Sequence, residues 1–194
     1  MASVNGHALR FGDVVPLDST NDGKAIEISP EGLNFFLKRA IDRELIFQTA
    51  RAQGITADEG QNQQLADMIA QRNQPEPGGI ARLNAGPASR QFELRDAQAF
   101  QLQTALMAAQ GSSPNVTEDQ ALDYYRQHQA EFGELPVDPA ARKLAWSDID
   151  FQIREQLAFV TRSNYNKQLA AFMGQLESRA SIVVSPAGEA AGPD

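Results

Sequence analysis

Ser29-Pro30-Glu31-Gly32-Leu33-Asn34-Phe35-Phe36-Leu37-Lys38-Arg39-Ala40-Ile41 opens the segment on which the fold turns. Serine, proline and glutamate in that order supply an N-cap, a residue already locked at helical φ, and an acid beside the positive helix end. Leu33, Leu37, Ile41 and Leu45 then recur every four residues, with Phe36, Ala40 and Phe47 beside them, so the spacing predicts a helix with a broad apolar face ending near Gly54. Asp42-Arg43-Glu44 interrupts that stripe and reads as charge on the solvated face.

Downstream the same grammar repeats. Thr56-Ala57-Asp58-Glu59 matches a capping box ahead of Leu65, Met68 and Ile69, which predicts a second, shorter helix. The breakers Pro75-Glu76-Pro77-Gly78-Gly79 and Asn84-Ala85-Gly86-Pro87 predict a mobile loop over 75–87. A third helix is expected from about Ala88 to Gln110, with Phe92, Ala99, Leu102, Leu106 and Ala109 on its face and Gly111 as its stop. Thr117-Glu118-Asp119-Gln120 launches a fourth, carrying Ala121, Leu122, Tyr125 and Phe132 to Gly133. Beyond Pro139, Trp146, Ile149, Ile153, Leu157 and Val160 form one stripe and Leu169, Phe172, Met173 and Leu176 another. Polar Thr161-Arg162-Ser163-Asn164 separates them, as in one long helix whose buried face rotates midway.

The ends of the chain read differently. Ser3-Val4, Asn5-Gly6 and His7 to Phe11 predict a hairpin, because Asn-Gly accepts the positive φ angles of a two-residue turn. Ile182-Val183-Val184 is a β-branched strand stopped by Pro186. The fold class is therefore mostly α, about five main helices, with a small antiparallel sheet formed by the N-terminal hairpin and the C-terminal strand. Residues 1–186 read as a single domain, with an inserted loop or edge strand over 12–28 and a disordered tail over 187–194.

Composition narrows the function. The 194 residues include no cysteine and two histidines, which removes thiol chemistry and leaves little for a metal site; no cofactor is expected. A formal charge of −8 opposes a phosphate backbone, so nucleic-acid binding is not expected. His7 lies in the hairpin and His128 on a polar helix face, both read as solvated. Glu118-Asp119, Asp148 and Asp150 sit at expected helix starts, where dipole compensation explains them. No nucleophile elbow, P-loop or dinucleotide fingerprint occurs, so neither an enzyme nor a small-molecule substrate is expected. What stands out is the inventory of large, adaptable apolar side chains on the helices: Met68, Phe92, Phe100, Met107, Tyr124, Tyr125, Phe132, Phe159, Phe172 and Met173. Methionine and aromatic residues suit surfaces that take varied apolar partners, although most such positions in any helical protein are core.

The order of motifs resembles a known family. The Val4-Asn5-Gly6 start, the helix from Leu37 to Thr56, Val116-Thr117-Glu118-Asp119 followed by Tyr124-Tyr125 and Phe132, Phe151 to Leu157, and Ala180 to Val184 are together similar to the peptide-binding domain of SurA-type and PrsA-type periplasmic parvulin chaperones. The resemblance covers about three quarters of the chain. It departs in two places: Phe132 to Pro139 joins directly where the family inserts its isomerase domain, and residues 12–28 are extra. The resemblance implies a helical chaperone module without isomerase activity, located in the periplasm or cell envelope with a leader or anchor preceding it. It further implies a hydrophobic groove for unfolded outer-membrane or secreted polypeptides. Met68, Phe92, Phe100, Met107, Tyr125, Phe132, Phe159 and Phe172 are the expected peptide-binding residues. The rival expectation is an interaction module for one dedicated partner, or for a second copy as a strand-swapped homodimer.

Overall fold

A computed structural model describes residues 2–15, 28–72 and 87–185. In chain order the elements are β1 (Ala2–Val4), β2 (His7–Leu9), α1 (Phe11–Val14), α2 (Pro30–Ala52), α3 (Glu59–Arg72), α4 (Pro87–Ala109), α5 (Glu118–Gln127), α6 (Gln129–Phe132), α7 (Pro139–Arg179) and β3 (Ile182–Val184). The protein is mostly α with one small antiparallel sheet, and five of its described helices are long. The chain divides into two compact units, Met1–Leu106 with Met173–Asp194, and Met107–Phe172.

In the first unit β1 is the central strand, in the order β2-β1-β3. Asn5 and Gly6 both take positive φ, 50° and 81°, as the two-residue turn requires. The register Ala2↔Leu9 and Ala2↔Val184 brings the two ends of the chain together. Ala2, Val4 and Leu9 are buried with Ala40 and Leu45 of α2, and Leu33, Phe36, Leu37 and Ile41 pack at the edge of that cluster. The four-residue recurrence of α2 is thus the face laid on the sheet. Ser29 caps the helix, its Oγ accepting from the Gly32 amide at 3.1 Å.

Three local readings are corrected. The 12–28 stretch is not loop throughout: residues 11–14 form α1, where Asp13 Oδ2 accepts from the Arg10 amide at 2.9 Å, and Val14 and Val15 join the core. Residues 16–27 of the expected loop or edge strand lie outside the described residues, as do 75–86 of the expected 75–87 loop and the 187–194 tail, while Pro87 opens α4. The cap of α3 is Asp58, whose Oδ1 accepts from the Gln61 amide at 2.7 Å, rather than Thr56, because the carboxylate stands at the right distance from the first free amides. Arg43 is not on a solvated face; it is buried, and its surroundings are described below.

In the second unit Thr117 and Gln120 close a reciprocal capping box at the start of α5. The helix expected to reach Gly133 breaks at His128, where φ is −119° and ψ 26°. There the ring takes the carbonyl of Tyr124 through Nδ1 at 2.9 Å and stacks on the Tyr124 ring with centroids 3.9 Å apart. Stacked on the Tyr124 ring, His128 is half-buried rather than solvated. Gly133 ends α6 at φ 79°. Asp138 Oδ1 then accepts from the Ala141 amide at 2.9 Å and opens α7, which runs unbroken for 41 residues. Ile153, Val116, Ala121 and Tyr125 form the buried centre, with Trp146, Ile149 and Leu157 beside them. Val160 departs from the expected stripe and is exposed.

Candidate functional site

The eight residues singled out from the sequence separate by environment. Phe92, Met107, Tyr125 and Phe172 are buried. Phe132 is half-buried against the centre of the second unit. Met68, Phe100 and Phe159 are exposed, at 62%, 57% and 82%. Met68 is on α3 and Phe100 on α4 in the first unit, and Phe159 is on α7 in the second. Further apolar side chains that the sequence reading passed over, Phe35 on α2 and Leu144 and Phe151 on α7, are each more than half exposed.

The exposed residues of α7 have a shared geometry. At about 100° per residue, Trp146, Ile149, Ile153 and Leu157 occupy one side of the helix, and Leu144, Phe151 and Phe159 fall within about 80° of each other on the opposite side. Leu144 is 69% exposed and Phe151 66%. The first group packs in the core of the second unit and the second faces outward. A helix with apolar residues on two opposed sides satisfies one of them internally and leaves the other free for a partner. The signal was present in the spacing 144, 151, 159, but a periodic search for one stripe absorbs such residues into the other face.

The first unit holds a different kind of site, built of charge. Arg43, on α2, is buried; it donates from Nη1 to Asp96 Oδ1 at 2.8 Å and from Nη2 to the Asp13 carbonyl, and its guanidinium lies 4.7 Å from the Phe92 ring centroid. Arg39 reaches the other oxygen of Asp96 at 2.5 Å, and Arg95 pairs with Asp13. Burial pushes the Asp13 carboxyl up, but the Arg10 amide and the Arg95 and Arg43 guanidinium groups outweigh it and hold the group below its ordinary 3.8. A cavity of about 170 Å³ lies beside this cluster, lined by His7, Asp13, Arg43, Glu44, Phe47 and Arg95 among others. The charges there pair with one another across α1, α2 and α4, which explains the cluster as packing of three elements.

A second network joins α2 to the end of α7. Lys38 Nζ sits 2.7 Å from Glu177 Oε1 and 3.2 Å from Asp42 Oδ1. The bond to Glu177 raises the lysine, the same bond lowers Glu177, and burial raises Asp42. Among the described residues no group of three or more histidine, aspartate or glutamate side chains is placed to hold a metal ion, and no helix is long and apolar enough to cross a membrane.

Comparison with known proteins returns no matching family model, no matching curated protein and no matching solved structure.

Proposed function

We propose that this protein is a non-enzymatic, chaperone-like binder of unfolded or extended polypeptide, of the SurA-like kind and working in the periplasm or cell envelope. The observation that carries the reading is the set of large apolar side chains left open on helices whose other faces are satisfied: Met68, Phe100, Phe151 and Phe159. Exposing such side chains costs solubility unless they meet a partner, and the net charge of −8 offsets that cost by keeping copies apart. Methionine and phenylalanine spread over several helices suit many weak apolar contacts better than one shaped pocket. The motif order that resembles the parvulin chaperones, with the isomerase segment replaced by Phe132 to Pro139, supports the same reading.

The test is light scattering of a chemically denatured, aggregation-prone client diluted into buffer with and without the protein, with proline isomerisation of a reporter peptide followed on the same preparation. Suppressed scattering without isomerase turnover is the expected result. No suppression at several-fold excess would move the assignment to a module for one dedicated partner or for self-association. Isomerase turnover would overturn the non-enzymatic reading.

A further inference from the structure

The outward side of α7 carries more than apolar residues. From Leu144 the same side continues through Asp148, Phe151, Glu155 and Phe159, at intervals of four, three, four and four residues, so that every second position is an acid. Asp148 and Glu155 are both exposed, and among the described residues neither forms an ion pair. Two other carboxylates of this unit are paired: Asp150 on α7 with Arg154 at 2.6 Å and Asp123 on α5 with Arg126 at 2.8 Å. Arg162 stands one turn beyond Phe159 and reverses the sign at that end.

We infer that this strip of α7 docks a cationic amphipathic segment, a helix whose apolar side chains meet Leu144, Phe151 and Phe159 while its lysines or arginines face Asp148 and Glu155. The inference rests on the polypeptide-binding reading above and gives it a place and a partner chemistry. Intervals of three and four residues match the seam by which one helix accepts another, and acids inside the seam select bases opposite. Two other occupants fit worse. A second copy would bring the same acids to the interface, and a strip about 22 Å long and about 10 Å wide offers roughly 220 Å² against the roughly 800 Å² per partner of a stable dimer. An anionic membrane would be repelled by the two carboxylates lying among the apolar residues.

The test uses the full chain and three probes: a labelled synthetic 14-residue amphipathic peptide of leucine and lysine, the same peptide with glutamate for lysine, and vesicles of phosphatidylglycerol. Binding is read by fluorescence anisotropy for the peptides and by co-sedimentation for the vesicles. The leucine–lysine peptide should bind at least about tenfold more tightly than its acidic counterpart, by a margin that shrinks with salt. Because the protein's net charge attracts any cation, the deciding comparison is between variants. Asp148→Asn with Glu155→Gln should remove most of the preference, while Glu131→Gln with Glu134→Gln, an equal charge change on exposed residues in α6 and just beyond it, should leave it. Phe151→Ser with Phe159→Ser should weaken the leucine–lysine peptide at least about tenfold. All these side chains are exposed, and Trp146 fluorescence verifies that each variant keeps its folded core.

Equal binding of both peptides, binding unchanged in the phenylalanine variant, vesicle binding lost in that variant, or a dimer lost in it would each overturn the inference. The two levels fail separately. Client protection that survives Phe151→Ser with Phe159→Ser leaves the chaperone-like reading standing and removes this site. Stripe-dependent capture of the cationic peptide without protection of any client keeps the site and removes the general chaperone reading.

Discussion

Asn5 and Ser181 exchange two hydrogen bonds across 176 residues of sequence: the Asn5 amide donates to the Ser181 carbonyl at 2.8 Å, and the Ser181 amide donates to Asn5 Oδ1 at 2.8 Å. The same Asn5 side chain donates through Nδ2 to Gln48 Oε1 at 2.7 Å, and Gln48 Nε2 donates to the Val4 carbonyl at 3.1 Å. A turn residue chosen for its positive φ thus also fastens the C-terminal strand and the long α2 helix to the hairpin.

Asn5→Gly keeps the backbone freedom and removes the side-chain bonds, whereas Asn5→Ala removes both. Urea unfolding should show a loss of about 1–3 kcal/mol for the glycine variant, and a further loss of about 1 kcal/mol for alanine at φ 50°. Equal values for the two would mean that the hydrogen bonds alone set the cost.

Arg43 tests the buried charge. Its partner Asp96 also holds Arg39, so Asp96→Ala leaves a buried guanidinium without its counter-ion. Thermal unfolding should report a destabilisation of about 3 kcal/mol, the low end for breaking a buried pair because the carboxylate is partly open to water. Arg39→Ala, an exposed member of the same network, should cost less than about 1 kcal/mol.

Acid should act through Asp13. Its folded-state carboxyl is held below the ordinary 3.8, so it contributes stability that is present above that value and is lost as pH falls through the lower folded value. Asp42 has the opposite sign: burial raises it, so the folded state holds its proton more tightly and stability from this group declines as pH rises past 3.8. Denaturation midpoints measured between pH 2 and 6 should fall less steeply toward acid in Asp13→Asn than in the parent chain, and Asp42→Asn should lose the opposing contribution.

Trp146 is the sole tryptophan, and its ring meets Tyr125 edge-on with centroids 5.7 Å apart. The Tyr125 hydroxyl donates to the Gly133 carbonyl at 2.8 Å and pins the end of α6. Tyr125→Phe should cost about 1 kcal/mol, and Ile153→Ala, which empties a fully buried position, about 2–5 kcal/mol. Trp146 fluorescence followed through unfolding measures both.

Read without any contact information, the sequence already determined the helical body, the Asn5-Gly6 turn, the strand at 182–184, the Thr117 box and the single long helix beyond Pro139. These are local matters, settled by caps, breakers and periodicity within a few residues of each position. Tertiary structure decided what locality leaves open. The pattern Asp42-Arg43-Glu44 does not say that Arg43 is buried, because that depends on Asp96 and Phe92 arriving from another helix. Phe92, Met107, Tyr125 and Phe172 share the chemistry of Met68, Phe100 and Phe159, yet the first four are buried and the last three open. A hydrophobic period gives a side chain its direction around the helix axis; only the packing of distant elements settles whether another surface lies in that direction, and on α7 it covers Ile153 and leaves Phe151 and Phe159 open.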